Sequence, residues 1–186
     1  MPILELPYFR QPNDMYCQPT CLKIVLNYAI DVLGVNQKKI RLRTIAKTIG
    51  ASPVMGAVPG NVEFINSRLE KSHPPMKVKR QLSGTYDEII KEINEGRPVI
   101  VWIDQRQIVD DEVWHVVVIN GYDEDLRRIY YCDPILAEEF WQKEAESGDF
   151  IMNKLSPQGY LIKLIIGGSG QQTLINVDQN GEVSIQ

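Results

Sequence analysis

Few side chains in this sequence could do covalent or acid–base chemistry, because the chain holds only two histidines and three cysteines. Cys17 stands at the start of a predicted helix, where the partial positive charge of the N-terminus favours the thiolate, the nucleophilic form of cysteine. His115 lies in an otherwise apolar predicted strand, where a histidine is more often a hydrogen-bonded core residue than a catalytic one. Brought together, the thiol and the imidazole would form a nucleophile and its general base.

Two polar residues could complete such a site. Gln11 lies six residues before Cys17, and its amide could donate to an oxyanion alongside the Cys17 backbone N–H. It belongs to an irregular segment in which we expect little packing. Asp133 ends the strand that follows the His115 strand, so antiparallel pairing could place its carboxylate against the imidazole and fix the tautomer. Each residue alone has a simpler structural interpretation, but the ordered set of four favours nucleophilic catalysis.

The remaining cysteines and histidine have simpler roles. Cys21 follows Cys17 by one helical turn, and a disulfide between the two would be geometrically awkward. A zinc site built from these two with Cys132 and His115 would lack a Cys-x-x-Cys pair. We therefore expect Cys21 and Cys132 to be small apolar fillers, and we expect no metal or cofactor. His73 lies in a polar turn and is expected to be solvated.

Predicted helices and strands must position these residues. Most of the helices fall in the first half of the chain, and the strands fall in the second half. Apolar periodicity predicts helices at 17–33, 42–49, 60–70, 85–95 and 138–146. The first of these is expected to be mostly buried and to end at Gly34. Residues 51–59 form a predicted loop. Apolar runs between polar turns predict strands at 98–103, 113–122, 129–132 and 160–166, and a hairpin at 173–185. This order of elements indicates an α+β domain.

Length, charge and composition exclude several classes of protein. A chain of 186 residues can bury one sizeable core, and a formal net charge of −4 argues against nucleic acid as the main partner. No apolar run approaches the roughly 20 residues of a membrane-spanning helix. The first residues lack the features of a signal peptide. Few cysteines, odd in number, fit a reducing compartment, so we expect a cytoplasmic protein.

Several short motifs occur in a characteristic order along the chain. The segments are 6–11, 16–22, 51–56, 96–101, 115–118, 121–123, 132–134, 139–141 and 159–162. As an ordered set they resemble the papain-like cysteine peptidases of family thirty-nine, the bacteriocin-processing or double-glycine peptidases, and especially their stand-alone homologues. Two positions depart from the usual pattern. Gln18 stands where the family usually has glycine, and Trp114 stands where a small or polar residue usually precedes the histidine.

The resemblance implies an α+β, papain-like fold. A helical half at about 17–95 would pack on an antiparallel β-sheet at about 97–166. Together they would form a single peptidase domain over residues 1–166. Residues 167–186 would then be a Gly-rich connector and the C-terminal hairpin.

The resemblance also implies a role for each of the four candidate residues. Cys17 would be the nucleophile and His115 the base, with Asp133 orienting the imidazole and Gln11 contributing to the oxyanion hole. The substrate would be a peptide or protein. Two alternatives stay open: an acyltransferase with the same Cys-His-Asp site, and a catalytically silent peptide-binding module on the same fold. The oligomeric state is not indicated.

Overall fold

The computed structural model describes residues 3–32, 38–73, 76–82, 84–104, 114–146, 161–166, 175–177 and 183–185. Its α-helices are α1 (Cys17–Val32), α2 (Leu42–Thr48), α3 (Asn66–Ser72) and α4 (Tyr86–Asn94). Its strands are β1 (Met76–Gln81), β2 (Val99–Asp104), β3 (Trp114–Asp123), β4 (Arg128–Cys132), β5 (Gln142–Glu146), β6 (Leu161–Ile166), β7 (Ile175–Val177) and β8 (Val183–Ile185). Short 3-10 helices cover Asp14–Tyr16, Pro59–Ile65 and Glu138–Phe140.

The centre of the molecule is a six-stranded antiparallel sheet with the strand order β1-β6-β2-β3-β4-β5. Strands β2 and β3 are apolar almost throughout and are buried on both faces, as continuous apolar runs predict. On one face, a core that includes Trp102 and Val116 packs against α1, α2 and α3. On the other, Val101 and Val117 pack with Ile89 of α4. The combination of helices and an antiparallel sheet confirms the predicted α+β class.

The helices on either side of the sheet follow from the local sequence. The described part of α1 is buried almost all round, which agrees with its nearly continuous apolar arc. Gly34, predicted to end α1, lies outside the described residues. Helix α4 begins with a capping box, in which the Thr85 side chain accepts from the Glu88 backbone and the Glu88 side chain accepts from Thr85.

Two predicted helices differ from the structure. The first half of the helix predicted at 60–70 is the 3-10 helix that begins at Pro59, and α3 continues from Asn66 to Ser72. The prediction of a helix at 138–146 was wrong, because the structure has a 3-10 helix of three residues there, followed by strand β5. That segment is rich in good helix formers. Hydrogen bonding along the edge of β4, with Arg128 paired to Glu144 across the strands, overrides that preference.

Strand β1 lies inside the segment that was predicted to be the helical half. It pairs with β6 and extends the sheet on the side opposite β5. Buried Met76 and Val78 alternate with exposed Lys77 and Lys79, which is the two-residue period of a half-buried strand. The helical and sheet parts of the chain are therefore not fully separated in sequence.

The C-terminal hairpin is present as strands β7 and β8, which pair antiparallel in a separate two-stranded sheet. The Gly-rich connector at 167–174 and the hairpin turn at 178–182 lie outside the described residues. The division into a domain ending at residue 166 and a tail stays a prediction. None of the described helices is both long and apolar enough to span a membrane.

Candidate active site

Cys17 is the first residue of α1 and is partly exposed. The turn before it is a 3-10 helix capped by Asn13, whose side-chain oxygen accepts a hydrogen bond from the Met15 N–H at 3.0 Å. One turn further along α1, the Cys21 thiol donates to the carbonyl oxygen of Val116 at 3.2 Å. Because Val116 directly follows His115, this contact holds the first turn of α1 beside the imidazole.

His115 and Asp133 are hydrogen-bonded to each other. The distance from His115 Nε2 to Asp133 Oδ1 is 2.7 Å, and only 4% of the histidine is exposed. The carboxylate is itself held in place, because Oδ1 also accepts from the Ile135 N–H at 3.1 Å. In addition, the Asp133 N–H donates to the Trp141 carbonyl at 2.8 Å. The antiparallel pairing of β3 with β4 brings the two residues together.

The electrostatics of the imidazole are set by opposing effects. Burial disfavours the imidazolium, but hydrogen bonds with Asp133 and Cys17 and the negative charges of both groups outweigh it. They raise the pKa of His115 from its ordinary 6.5 to about 9. Asp133 occupies Nε2, which leaves Nδ1 as the ring nitrogen for the thiol. An imidazolium in this position can stabilise a thiolate and can later deliver its proton.

Gln11 is hydrogen-bonded to the turn that follows Asp133. Its backbone N–H donates to the carbonyl of Pro134 at 2.8 Å, and its Nε2 donates to the carbonyl of Asn13 at 2.9 Å. Only 6% of Gln11 is exposed, so the expectation of little packing in this segment was wrong. The backbone link to the turn after Asp133 explains the burial, because it draws the N-terminal segment onto the protein.

Two aromatic residues brace this turn. The Tyr8 hydroxyl donates to the carbonyl of Leu136 at 3.0 Å. The ring of Tyr8 packs edge-on against Trp141, with 5.2 Å between the ring centroids. These contacts hold Gln11 and Asp133 on one small frame. Residues 139–141 belong to one of the motifs in the sequence, but no role for Trp141 was predicted, because its contact with Tyr8 joins distant parts of the chain.

The other two thiols have different surroundings. Cys21 and Cys132 are fully buried, as expected of small apolar fillers. Burial, followed by nearby negative charges, raises the pKa of the Cys21 thiol. The same two causes raise the pKa of Cys132 to about 12. Both are therefore poor nucleophiles near neutral pH.

The side-chain amide of Gln18 is buried, which the residue type alone did not predict. The side chain is 98% buried, and neither its Nε2 nor its Oε1 has a hydrogen-bond partner among the described residues. The Thr20 hydroxyl and the Gln11 Oε1 share this condition. All three residues lie within six positions of Cys17 in the sequence. Such atoms cost stability and are often retained for function.

His73 is not solvated, contrary to expectation. It ends α3 and is only 7% exposed. Its Nδ1 lies 2.7 Å from the Ser72 hydroxyl, and its Nε2 lies 2.8 Å from the carbonyl oxygen of Lys38. The polar residues around it in the sequence suggested an exposed turn, but these contacts fix the imidazole against the segment that precedes α2.

Comparisons with known structures define the class of fold. A double-glycine-motif protease from an AMS/PCAT transporter, in complex with the leader peptide, is 15% identical with a TM-score of 0.60; the match covers 88% of this chain and 93% of that one. A protein from Bacillus anthracis described as a C39-like peptidase is 16% identical with a TM-score of 0.60, covering 91% and 100%. The peptidase domain of Streptococcus ComA, a bifunctional ABC transporter involved in quorum sensing, is 14% identical with a TM-score of 0.54, covering 88% and 98%. The fold is that of the papain-like cysteine peptidases.

A family model gives the closer assignment. The model of the Peptidase_C39-like family matches residues 3–153, which is most of the chain. The protein therefore belongs to the Peptidase_C39-like family, a family of cysteine peptidases, and the resemblance seen in its sequence is confirmed. A search of curated proteins found no match.

Proposed function

We propose that this peptidase cleaves peptide bonds by acyl transfer through Cys17, with His115, Asp133 and Gln11 completing the site. The observation that carries the proposal is the hydrogen-bonded set around His115. One side of the ring bonds the Asp133 carboxylate at 2.7 Å, and the Cys17 thiol interacts with the same ring. A nucleophile, a base and a group that orients the base are the three parts that covalent hydrolysis requires.

The pKa of His115 determines the order of the proton transfers. With a pKa of about 9, the imidazole is protonated at neutral pH, and in the proposed reaction it forms an ion pair with Cys17 in its reactive thiolate form. The sulfur attacks the peptide carbonyl carbon, the C–N bond breaks, and the imidazolium gives its proton to the departing amine. The neutral imidazole then takes a proton from water, which attacks the thioester. The C–S bond breaks, and the acid product and the original ion pair result.

Gln11 and the start of α1 support the proposed oxyanion hole. One hydrogen of the Gln11 Nε2 is used by the Asn13 carbonyl, which fixes the orientation of the amide. The second hydrogen stays available to the oxygen of a tetrahedral intermediate. The Cys17 backbone N–H at the start of α1 would be the other donor.

The proposed substrate is a peptide. It is supported by family membership and by the similar double-glycine-motif protease whose structure holds a leader peptide. A cytoplasmic location stays a prediction from cysteine usage.

The direct test is labelling with a peptide vinyl sulfone, which alkylates an active-site thiol. We expect one label per chain, located on Cys17 by mass spectrometry of the digested protein. Cys17→Ala should take up no label, and the matched control Cys21→Ser, which keeps a donor to the Val116 carbonyl, should be labelled like the parent. A folded parent protein that stays unlabelled, or that carries the label on Cys132, would refute the proposed nucleophile.

A further inference from the structure

A groove runs between α2 and α3, in the helical part of the protein. It consists of two adjoining depressions of about 490 and 440 Å³, which share Thr48 and Arg68. The remaining lining residues are Arg43, Thr44, Lys47, Ser67, Lys71 and Ser72. The groove therefore has four cationic side chains, four hydroxyl side chains and no carboxylate among its lining residues.

The four cations are free to bind a ligand. Within the described part of the chain, none of their side chains takes part in an ion pair or a hydrogen bond with another protein group. The hydroxyls of Thr48, Ser67 and Ser72 donate to backbone carbonyls of their own segments. The hydrogen-bond donors that the groove offers to a partner are therefore mainly positively charged.

The cations form two rows with helical spacing. Arg43 and Lys47 are four residues apart on α2, and Arg68 and Lys71 are three residues apart on α3. Residues at these spacings lie on one face of a helix, roughly 6 Å apart. Carboxylates that recur at three- and four-residue intervals on a helical peptide have the same spacing. Guanidinium groups bind carboxylates in a bidentate manner, which favours the same partner.

The net charge of the whole protein favours a small partner over a large polyanion. The chain has a formal charge of −4, so removing the four positive charges of the groove leaves −8 on the remainder. This overall charge repels a large polyanion such as a nucleic acid. A short acidic segment carries fewer charges and is repelled less. We infer that the groove between α2 and α3 binds an acidic peptide segment whose carboxylates are one helical turn apart.

Fluorescence anisotropy with the full-length chain tests this inference. The probe is a labelled helical peptide of about 15 residues with Glu at three- and four-residue spacing. Its control is the same peptide with Gln at those positions, and mass spectrometry confirms that both stay intact. We expect the Glu peptide to bind more tightly, with an affinity that falls as salt rises from about 0.02 to about 0.3 M. This binding does not depend on catalysis, so it can succeed or fail separately from the proposed function.

Matched variants then locate the binding. Lys47→Gln with Lys71→Gln removes two charges from the groove, and Lys77→Gln with Lys91→Gln removes two exposed charges elsewhere. We expect the groove pair to weaken binding by about fivefold and the control pair by less than about twofold. Arg68→Gln, at the shared wall, should weaken it at least as much as either groove lysine alone. Circular dichroism checks that each variant is folded.

Three results would overturn the inference. The Glu and Gln peptides could bind equally, or the control pair could lose as much affinity as the groove pair. In the third case, a single-stranded oligonucleotide of equal charge would bind more tightly than the Glu peptide and lose affinity in the groove variants. That last result would identify a nucleic-acid site.

Discussion

The two histidines of this protein are buried to a similar extent, but their hydrogen-bond partners differ. His115 is 4% exposed and His73 is 7% exposed, and both ring nitrogens of each are close to a polar group. The partners of His73 are a serine hydroxyl and a backbone carbonyl, both neutral. The partners of His115 are a carboxylate and a thiol, both of which can become anionic.

The contrast shows what raises the pKa of a buried imidazole. Burial alone opposes the charged form, so it cannot account for the raised pKa of His115. The Asp133 carboxylate and the Cys17 thiol provide the negative charge that does. His73 has a fully bonded ring in a position that ties α3 to the segment before α2. We therefore predict a catalytic role for one histidine and a structural role for the other.

Removal of each imidazole gives the largest expected difference. His115→Ala should lower kcat/KM for a peptide substrate by about 10⁴-fold, because the ion pair and the proton donor are lost together. His73→Ala should leave the activity of the folded protein within about threefold of the parent, since nothing in its surroundings takes part in the proposed reaction. Steady-state kinetics on both variants measure the difference. Equal losses in the two would remove the distinction.

Replacement of the Asp133 carboxylate gives the next largest expected effect on activity. Asp133→Asn should lower kcat by about a thousandfold, because the amide no longer stabilises the imidazolium. It should also move the alkaline limb of the kcat/KM profile from about pH 9 toward the ordinary histidine value of 6.5. Asp123→Asn, at the other end of β3 from His115, is the control. An unchanged profile in Asp133→Asn would show that the carboxylate does not set the pKa.

The same pKa has a consequence for stability. Because the folded pKa of His115 lies above 6.5, its contribution to the free energy of unfolding is fully present below that pH. The contribution is lost as pH rises through about 9. Urea unfolding of the parent should therefore show this component declining between pH 6.5 and 9, and His115→Ala should lack it.

Gln11 should have a smaller effect that falls mainly on turnover. Gln11→Ala should reduce kcat by about a hundredfold, or about 3 kcal/mol, with little change in substrate binding, because an oxyanion donor acts mainly on the charged intermediate. Gln11 is buried and bonded to Asn13. The melting temperature should fall as well, and rates must be expressed per folded protein. A variant that turns over as fast as the parent would exclude Gln11 from the oxyanion hole.

The smallest expected effect is the structural one. His73→Ala should lower the free energy of unfolding by about 1–3 kcal/mol, because the Lys38 carbonyl loses its buried partner. Chemical denaturation measures the loss. A variant as stable as the parent would mean that the two hydrogen bonds of His73 do not hold α3 in place.

The sequence allowed much of the fold to be predicted where the signal was local. Helix α1 and strands β2 and β3 have long apolar patterns, and such patterns predict a buried helix and buried strands. Strand β5 was missed because its residues favour a helix and only pairing with β4 makes them a strand. The alternation in β1 was present in the sequence but short.

For the site, the sequence supplied the residue types but not their environments. The ordered set of Gln11, Cys17, His115 and Asp133 was identified from spacing and resemblance. The burial of Gln11 depends on a hydrogen bond to Pro134, more than a hundred residues away. The burial of His73 likewise depends on a carbonyl in a different segment. Contacts of this kind join distant parts of the chain, so no local pattern predicts them.

The central claim is that Cys17 is the reactive thiol because His115 and Asp133 assist it. The most direct test is the rate of iodoacetamide alkylation at each cysteine, followed by mass spectrometry from about pH 5 upward. We predict that Cys17 reacts far faster than Cys21 and Cys132 at mildly acidic pH, and that His115→Ala abolishes the difference while His73→Ala preserves it. Slow and equal alkylation of all three thiols in the folded parent protein would contradict the account.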